Sequence, residues 1–251
     1  AAEAARVAEL AAREGIAHET LVWASSPGRG NLQAEARAAR HRLLGAWAHQ
    51  RGLAAVALGH TLDDQAETVL LRLARGSGVD GLSGMAEAAR LAGALWLRPM
   101  LSQRRRALRD WLTQRGIGWL EDPANEDPRF DRVKARRALA ALAPLGITAE
   151  GVAETARRLA LQRRVLEAAM APLAAGARRW GAVGEVRIDV ACLLAATGDT
   201  AFRLLADTLQ RLSGGPHRPR QAMLERLVAL LAEGRADGTL AGCRYRLAGG
   251  A

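Results

Sequence analysis

The sequence is almost without lysine and poor in cysteine. Lys134 is the only lysine, so nearly all of the 36 basic residues are arginine. The two cysteines, Cys192 and Cys243, lie far apart and no Cys-x-x-Cys occurs, which argues against a disulfide framework or a zinc site. No uninterrupted apolar run reaches bilayer-spanning length and no signal-peptide pattern stands at the visible start. A membrane partner is therefore not expected, and the cytoplasm is the expected compartment. Acidic residues are in the minority, 26 against 36 basic, leaving a formal charge of +10 and a pI near 11.2. That excess points to a polyanionic partner, because arginine neutralises phosphates and releases counterions. A composition rich in Ala, Arg and Gly explains the choice of arginine over lysine better than it explains the excess charge.

The most informative stretch is Gly59-His60-Thr61-Leu62-Asp63-Asp64-Gln65-Ala66-Glu67-Thr68, running on to Arg75-Gly76-Ser77-Gly78. The apolar run from Leu53 to Leu58 has the length of a buried strand, and Gly59 and His60 end it. Thr61 suits an N-cap, with Asp64 three residues on as a variant capping box, and Ala66, Val69, Leu70 and Leu73 recur at the spacing that buries one helix face. Asp63 and Glu67 lie on another face one turn apart, so both can point into the crevice beyond the strand ends of an open α/β sheet. Capping and the helix dipole alone favour Asp at such a helix start. His60, two adjacent carboxylates and Glu67 in one strand-to-helix turn exceed what capping requires.

At 251 residues and 49% hydrophobic the chain can bury a core and has room for two domains. Residues 1–125 alternate: a helix from Ala1 to Arg13, a strand at Thr20–Trp23, a turn at 25–30, and a helix capped by Asn31 with Leu43, Leu44 and Trp47 inside. The strand at 53–58 and the signature helix follow. Gly76, Gly78, Gly81 and Gly84 then make a flexible loop, Leu95–Leu97 a strand, and Ser102 caps a helix reaching Arg115. The fold class is α/β. Residues 126–251 read as mainly helical: about 129–141, 149–173, 200–212 and 220–233, with a short strand at Val186–Val190 and a closing hairpin arm at Thr239–Leu247. Arginines cluster at 104–109, 129–137 and 157–164, and any one cluster also suits a solvated helix face. Trp96, Trp111 and Trp119 have apolar neighbours that favour core packing over base stacking.

The segment GHTLDDQAETVLLRLARGSGVDGLSGM resembles the central signature of the tRNA(Ile)-lysidine synthetases of the PP-loop ATPase superfamily. Gln33-Ala34-Glu35-Ala36-Arg37 with Arg40, then Leu97-Arg98-Pro99-Met100-Leu101, then Trp119-Leu120-Glu121-Asp122-Pro123-Ala124-Asn125 resemble further family segments in the same order, together covering about residues 1–140. The resemblance implies a Rossmann-like, doubly wound parallel sheet, here partial and lacking its first two strands, with a mainly helical domain that binds substrate or tRNA. The family's Ser-Gly-Gly-x-Asp-Ser phosphate loop and Asp-His-Gly-Leu-Arg segment do not occur, so the chain is read as truncated at its start and inactive by itself. Ser213-Gly214-Gly215 copies three letters of that loop, but it follows a helix, and Pro216 and Pro219 remove backbone donors that a phosphate cradle needs.

The activity implied is carbon–nitrogen ligation. ATP adenylates the wobble cytidine of an isoleucine tRNA, and L-lysine displaces AMP to give lysidine. The cofactors implied are ATP and Mg²⁺; the partners are tRNA and L-lysine, with a homodimer left open. Asp63, Asp64, Glu67, Arg37 and Arg40 are the implied catalytic residues, His60 and Gly59 the nucleotide-binding ones, and Asp63 the candidate ligand for Mg²⁺. Arg75 and Gly76, at the end of the signature helix, and Arg132, Lys134 and Arg136, in a segment where Val133 replaces the family's usual Asn, are implied in tRNA contact. The alternatives are another PP-loop tRNA-modifying enzyme such as a thiolase, against which the missing cysteine pair argues, and a non-catalytic tRNA-binding module.

Overall fold

The computed structural model describes residues 2–24, 32–91, 93–121, 127, 129–214 and 218–248. The expected turn at 25–30, the Asn31 cap, the Asp122-Pro123-Ala124-Asn125 segment and Gly215-Pro216-His217 lie outside them. The chain divides into two compact units, Ala1–Leu161 and Gln162–Ala251.

The first unit begins with α1 (Ala2–Arg13) and α2 (Leu32–Gln50). Thr20–Trp23 is not a strand, contrary to its β-rich composition. A run of β-formers becomes a strand only where a neighbour takes its backbone groups, and no strand among the described residues pairs with it; Val22 is exposed. Of the expected strand at 53–58, β1 keeps Val56–Ala57, extended by a bond from the Leu58 N–H to the Leu97 carbonyl. Then come α3 (Leu62–Leu73), the single turn α4 (Val79–Leu82), β2 (Ala88–Leu91) and β3 (Ala94–Leu97). The sheet order is β1-β3-β2, with β1 parallel and β2 antiparallel to β3. It is therefore a small mixed sheet in a largely helical unit. Trp96 is its core residue, 1% exposed, with its indole N–H donated to the Leu91 carbonyl.

Next, α5 (Arg105–Gln114) starts without the expected Ser102 cap; its N-cap position is Arg104. Trp111 and Trp119 are exposed rather than packed in the core. Arg115 lies 3.9 Å from the Trp111 ring centroid and Arg109 5.5 Å from that of Trp119, so stacked guanidinium groups take the place of apolar neighbours. Helix α6 (Asp131–Leu142) packs along α3. A 3₁₀ turn at Ala143–Leu145 and the left-handed Gly146 then separate it from α7 (Ala149–Ala177).

The second unit continues from α7 through the hairpin β4 (Arg178–Trp180) and β5 (Val186–Ile188) to α8 (Val190–Ala195), α9 (Gly198–Ser213) and α10 (Gln221–Ala232). The hairpin β6 (Asp237–Leu240) and β7 (Cys243–Arg246) closes it. Its core is built on α9, where Ala201, Leu204, Leu205 and Leu209 recur at helical spacing and meet Leu224 and Leu227. Ser213 is the last residue of α9 and Gly214 its left-handed C-cap, so these two residues close a helix. Cys192 and Cys243 are free thiols, both partly buried. Among the described residues no helix is long and apolar enough to cross a membrane.

Candidate functional site

The site is assembled on α3. Thr61 caps it through the expected capping box: the Asp64 N–H donates to Thr61 Oγ1 at 3.4 Å, and Asp64 Oδ2 accepts the Thr61 N–H at 2.8 Å and its hydroxyl at 2.7 Å. Of the apolar stripe expected, Ala66 and Val69 are buried, but polar residues share the buried face. It comprises Asp64, Gln65, Ala66, Glu67 and Val69, while Leu73 is exposed. Burying two carboxylates costs free energy unless cations answer them.

Arginines from two other helices do so. Arg105 of α5 reaches Asp64 Oδ1 at 3.1 Å and Glu67 Oε1 at 3.8 Å. From α6, Arg132 meets Asp64 Oδ1 at 3.3 Å and Arg136 donates Nε–H to Glu67 Oε1 at 3.0 Å. Asp64 and Glu67, three residues apart, thus share a partner, whereas Asp63 turns to α5. It accepts the Arg105 backbone N–H at 2.7 Å and pairs with Arg104 at 3.1 Å. Asp63 is therefore the remote cap of a helix whose own N-cap residue supplies none. Replacing it by Ala should lower stability by about 1 kcal/mol, and by Asn about half as much, because the amide oxygen still accepts the N–H. Urea denaturation checks this; equal costs for Ala and Asn would show that the Arg104 charge pair, not the cap, carries the contribution.

Glu67 is only 1% exposed, and its Oε2 has no hydrogen-bond partner. Burial pushes its pKa up, against the pull of Arg136 and Arg105. Burial also pushes the Asp64 carboxyl up, but the Thr61 hydroxyl and N–H, with Arg105 and Arg132, outweigh it and hold the group below its usual range. The two neighbouring carboxylates are shifted in opposite directions, a pattern common where acid and base roles are divided.

His60 follows β1 directly. Burial, then Arg98, lowers its pKa to about 4, with Arg132 and Arg37 adding to the effect and Asp64 opposing it, so the ring is neutral near pH 7. Its Nδ1 is buried without a hydrogen-bond partner. Burial, with Arg132 and Arg40 next, likewise lowers the pKa of Arg37; Arg98 is lowered by burial and by Arg37. Guanidinium groups gathered closely enough to lower the pKa values of Arg37 and Arg98 form a concentrated positive field beside the carboxylates. Gly59 has room for a Cβ, whose nearest neighbour would be Met100 at 3.6 Å.

At the other end of α3, Gly76 takes φ +68° and ends the helix, its N–H donated to the Leu73 carbonyl. Arg75 and Lys134 are exposed, each 3.5 Å from Asp131, so they share an open surface with the start of α6. The glycine-rich segment between α3 and β2 is not the loose loop expected. Gln65 clamps Met85 by donating to its carbonyl at 2.9 Å and accepting its N–H at 2.7 Å, and Arg72 donates to the carbonyls of Gly81 and Gly84.

Arg98 and Arg105 were missed as site residues in the sequence. One signal was present: Arg104-Arg105-Arg106 opens a helix, where cations oppose the dipole, so carboxylates had to approach from elsewhere. Among the described residues no three of His, Cys, Asp and Glu gather as a metal site. Asp63, the residue picked out for Mg²⁺, is paired at both oxygens.

Opposed charge is thus gathered on a helix that follows a parallel strand, and the comparisons give the class of the chain. The PP-loop domain family matches residues 1–143. A solved structure, the U34-tRNA thiolase NcsA of Methanococcus maripaludis, superposes with a TM-score of 0.53 at 12% identity, covering 63% of this chain and 56% of that one; at that identity the likeness is one of fold. The tRNA(Ile)-lysidine synthase of Ruegeria pomeroyi is 43% identical over 97% of this chain, which spans 58% of that relative. That of Methylobacterium nodulans is 41% identical over the whole chain and 76% of the relative. The chain belongs to the tRNA(Ile)-lysidine synthase family of PP-loop proteins.

Proposed function

We propose that this chain carries the cytidine- and lysine-handling part of a lysidine-forming ligase. One observation carries the reading: a cluster of mutually repelling arginines, Arg37, Arg98 and Arg132, around neutral His60, directly beside the buried carboxylates Asp64 and Glu67. The reaction brings a polyanion and a cation to one carbon, and a site with adjacent fields of opposite sign fits both. In the first step the cytidine O2 attacks the α-phosphorus of ATP and pyrophosphate leaves. In the second the lysine ε-amine attacks C2, the C2–O bond breaks, AMP departs and the amine loses a proton.

The residues divide accordingly. Arg37, Arg98 and Arg132 stabilise charge developing on phosphate, with Arg40 beside them. His60, uncharged, offers a ring nitrogen to the adenylate or the base without adding repulsion. Glu67, with a free and buried Oε2, receives the ammonium group and takes its proton; burial favours the protonated form of its carboxyl, which suits a group that must accept a proton. Asp64 holds Arg105 and Arg132 in place. Asp63 and Asp64 have no unengaged oxygen for a cation, so no step is assigned to a metal held by them, and the Mg²⁺ expected with ATP is placed on the triphosphate. Arg75, Gly76, Lys134 and Arg136 lie along α3 and α6 where an anticodon arm would run. The small mixed sheet is read as part of the doubly wound sheet of PP-loop ATPases, and the cytoplasm, where tRNA is modified, as the compartment.

The test is AMP release from ATP by the protein expressed from its complete reading frame, with an isoleucine tRNA bearing a wobble cytidine. Release should depend on lysine and stop when the wobble base is replaced. ATP consumption that ignores lysine would refute the reading, and sulfur incorporation into tRNA would favour a thiolase instead.

A further inference from the structure

The second unit contains a cleft of about 600 Å³ that the ligase chemistry does not use. It is lined by Glu167, Met170, Ala171 and Ala174 of α7 together with Arg178, Trp180 and Arg211. Trp180 is 48% exposed on a three-residue strand. An indole left so open at a cleft forfeits much of the stabilisation that burying it would give.

Its surroundings are built for something other than packing. Arg178 is held firmly: its side chain is only 10% exposed, and Nη1 donates to Asp207 Oδ2 at 2.7 Å and to Thr208 Oγ1 at 3.0 Å. It stands 5.2 Å from the Trp180 ring centroid and so fixes the indole by a cation–π contact. Asp207 in turn pairs with Arg211 at 3.0 Å, which brings a second, open guanidinium to the rim. On the other face of the same hairpin Arg179 lies directly opposite Arg187. Arg179 is answered locally, donating to the Ala175 and Arg178 carbonyls.

An aromatic surface held by one cation, with a second, open guanidinium and apolar side chains beside it, is the chemistry that receives a stacked nucleobase with its flanking phosphate. We propose that this cleft binds one unpaired nucleotide of RNA, the base stacking on Trp180 and its phosphate meeting Arg211. The identity of that RNA as the substrate tRNA rests on the ligase reading; the binding chemistry does not.

The experiment measures binding of a fluorescein-labelled single-stranded RNA 12-mer to the chain by anisotropy, without ATP or lysine. Loss of one stacked base corresponds to roughly a 5- to 150-fold weakening, so Trp180→Ala should weaken binding about tenfold while Trp180→Phe retains most of it. Arg211→Gln should lower the slope of log affinity against log salt by about one. Trp180→Ala within twofold of the parent, or Ala and Phe equally weak, overturns the proposal, as does a duplex of the same sequence bound equally tightly with the same dependence on Trp180. Failure here with intact lysine-dependent AMP release removes the cleft alone; Trp180-dependent binding without that release removes the ligase reading alone.

Discussion

Glu67→Gln should cut lysine-dependent AMP release on the order of 100-fold or more, yet leave folding stability unchanged or higher. The two outcomes have one cause. The carboxylate is 1% exposed and Oε2 is unpartnered, so its ionised form lacks solvation that Arg136 and Arg105 only partly replace. Both arginine side chains keep about a third or more of their surface open, so they can hydrate once the charge opposite them is gone. The usual penalty for removing one member of a buried pair is therefore largely avoided, and chemical denaturation near pH 7 should place the variant within about 1 kcal/mol of the parent or above it.

The sign of the pH dependence follows. A carboxyl whose folded pKa is raised contributes stability below its unfolded pKa and loses it as pH rises through the folded value. The parent should therefore gain on Glu67→Gln as pH falls through that window. A variant several kcal/mol less stable at neutral pH, or a difference that does not change with pH, would place Glu67 in a structural ion pair and take it out of proton transfer.

Much of α3 was legible locally. Thr61 as cap, Asp64 in the capping box and the start of the helix at 62 all follow from short-range chemistry, and the structure reproduces them. What answers the carboxylates was not legible, because Arg105, Arg132 and Arg136 are 38 to 69 positions away from the residues they meet. Hydrophobic periodicity placed Ala66 and Val69 inside correctly but missed the polar residues buried beside them. It expects apolar residues inside, and here two acids and an amide share that side at the cost of an exposed Leu73. The reverse error occurred at Trp111 and Trp119, where composition favoured burial and stacked arginines made exposure tolerable. Thr20–Trp23 failed for a third reason: strand propensity is expressed only through a partner. Local rules hold where the backbone closes on itself and fail where a distant charge or strand decides, and the functional site is of the second kind.

Gly84→Ala should destabilise the first unit by about 3 kcal/mol, far more than a glycine in a loose loop would cost. Gly84 has φ +68°, and a Cβ there would lie 2.7 Å from Cδ, Nε2 and Oε1 of Gln65. The left-handed conformation accounts for roughly 1 kcal/mol of the loss, and displacing the Gln65 amide from its two bonds with Met85 for about 1 kcal/mol each. These contributions can be separated. In a Gln65→Ala background the collision and both bonds are already gone, so adding Gly84→Ala should cost only the backbone strain, giving a coupling of about 2 kcal/mol between the two positions. Equal costs in both backgrounds, read by urea denaturation, would mean that the amide simply moves aside and that the segment is as loose as its glycine content suggested. Gln65 lies between Asp64 and Glu67 on the buried face of α3, so tilting it to admit a methyl group also displaces the two carboxylates. Turnover should fall in Gly84→Ala even at temperatures where the protein remains folded.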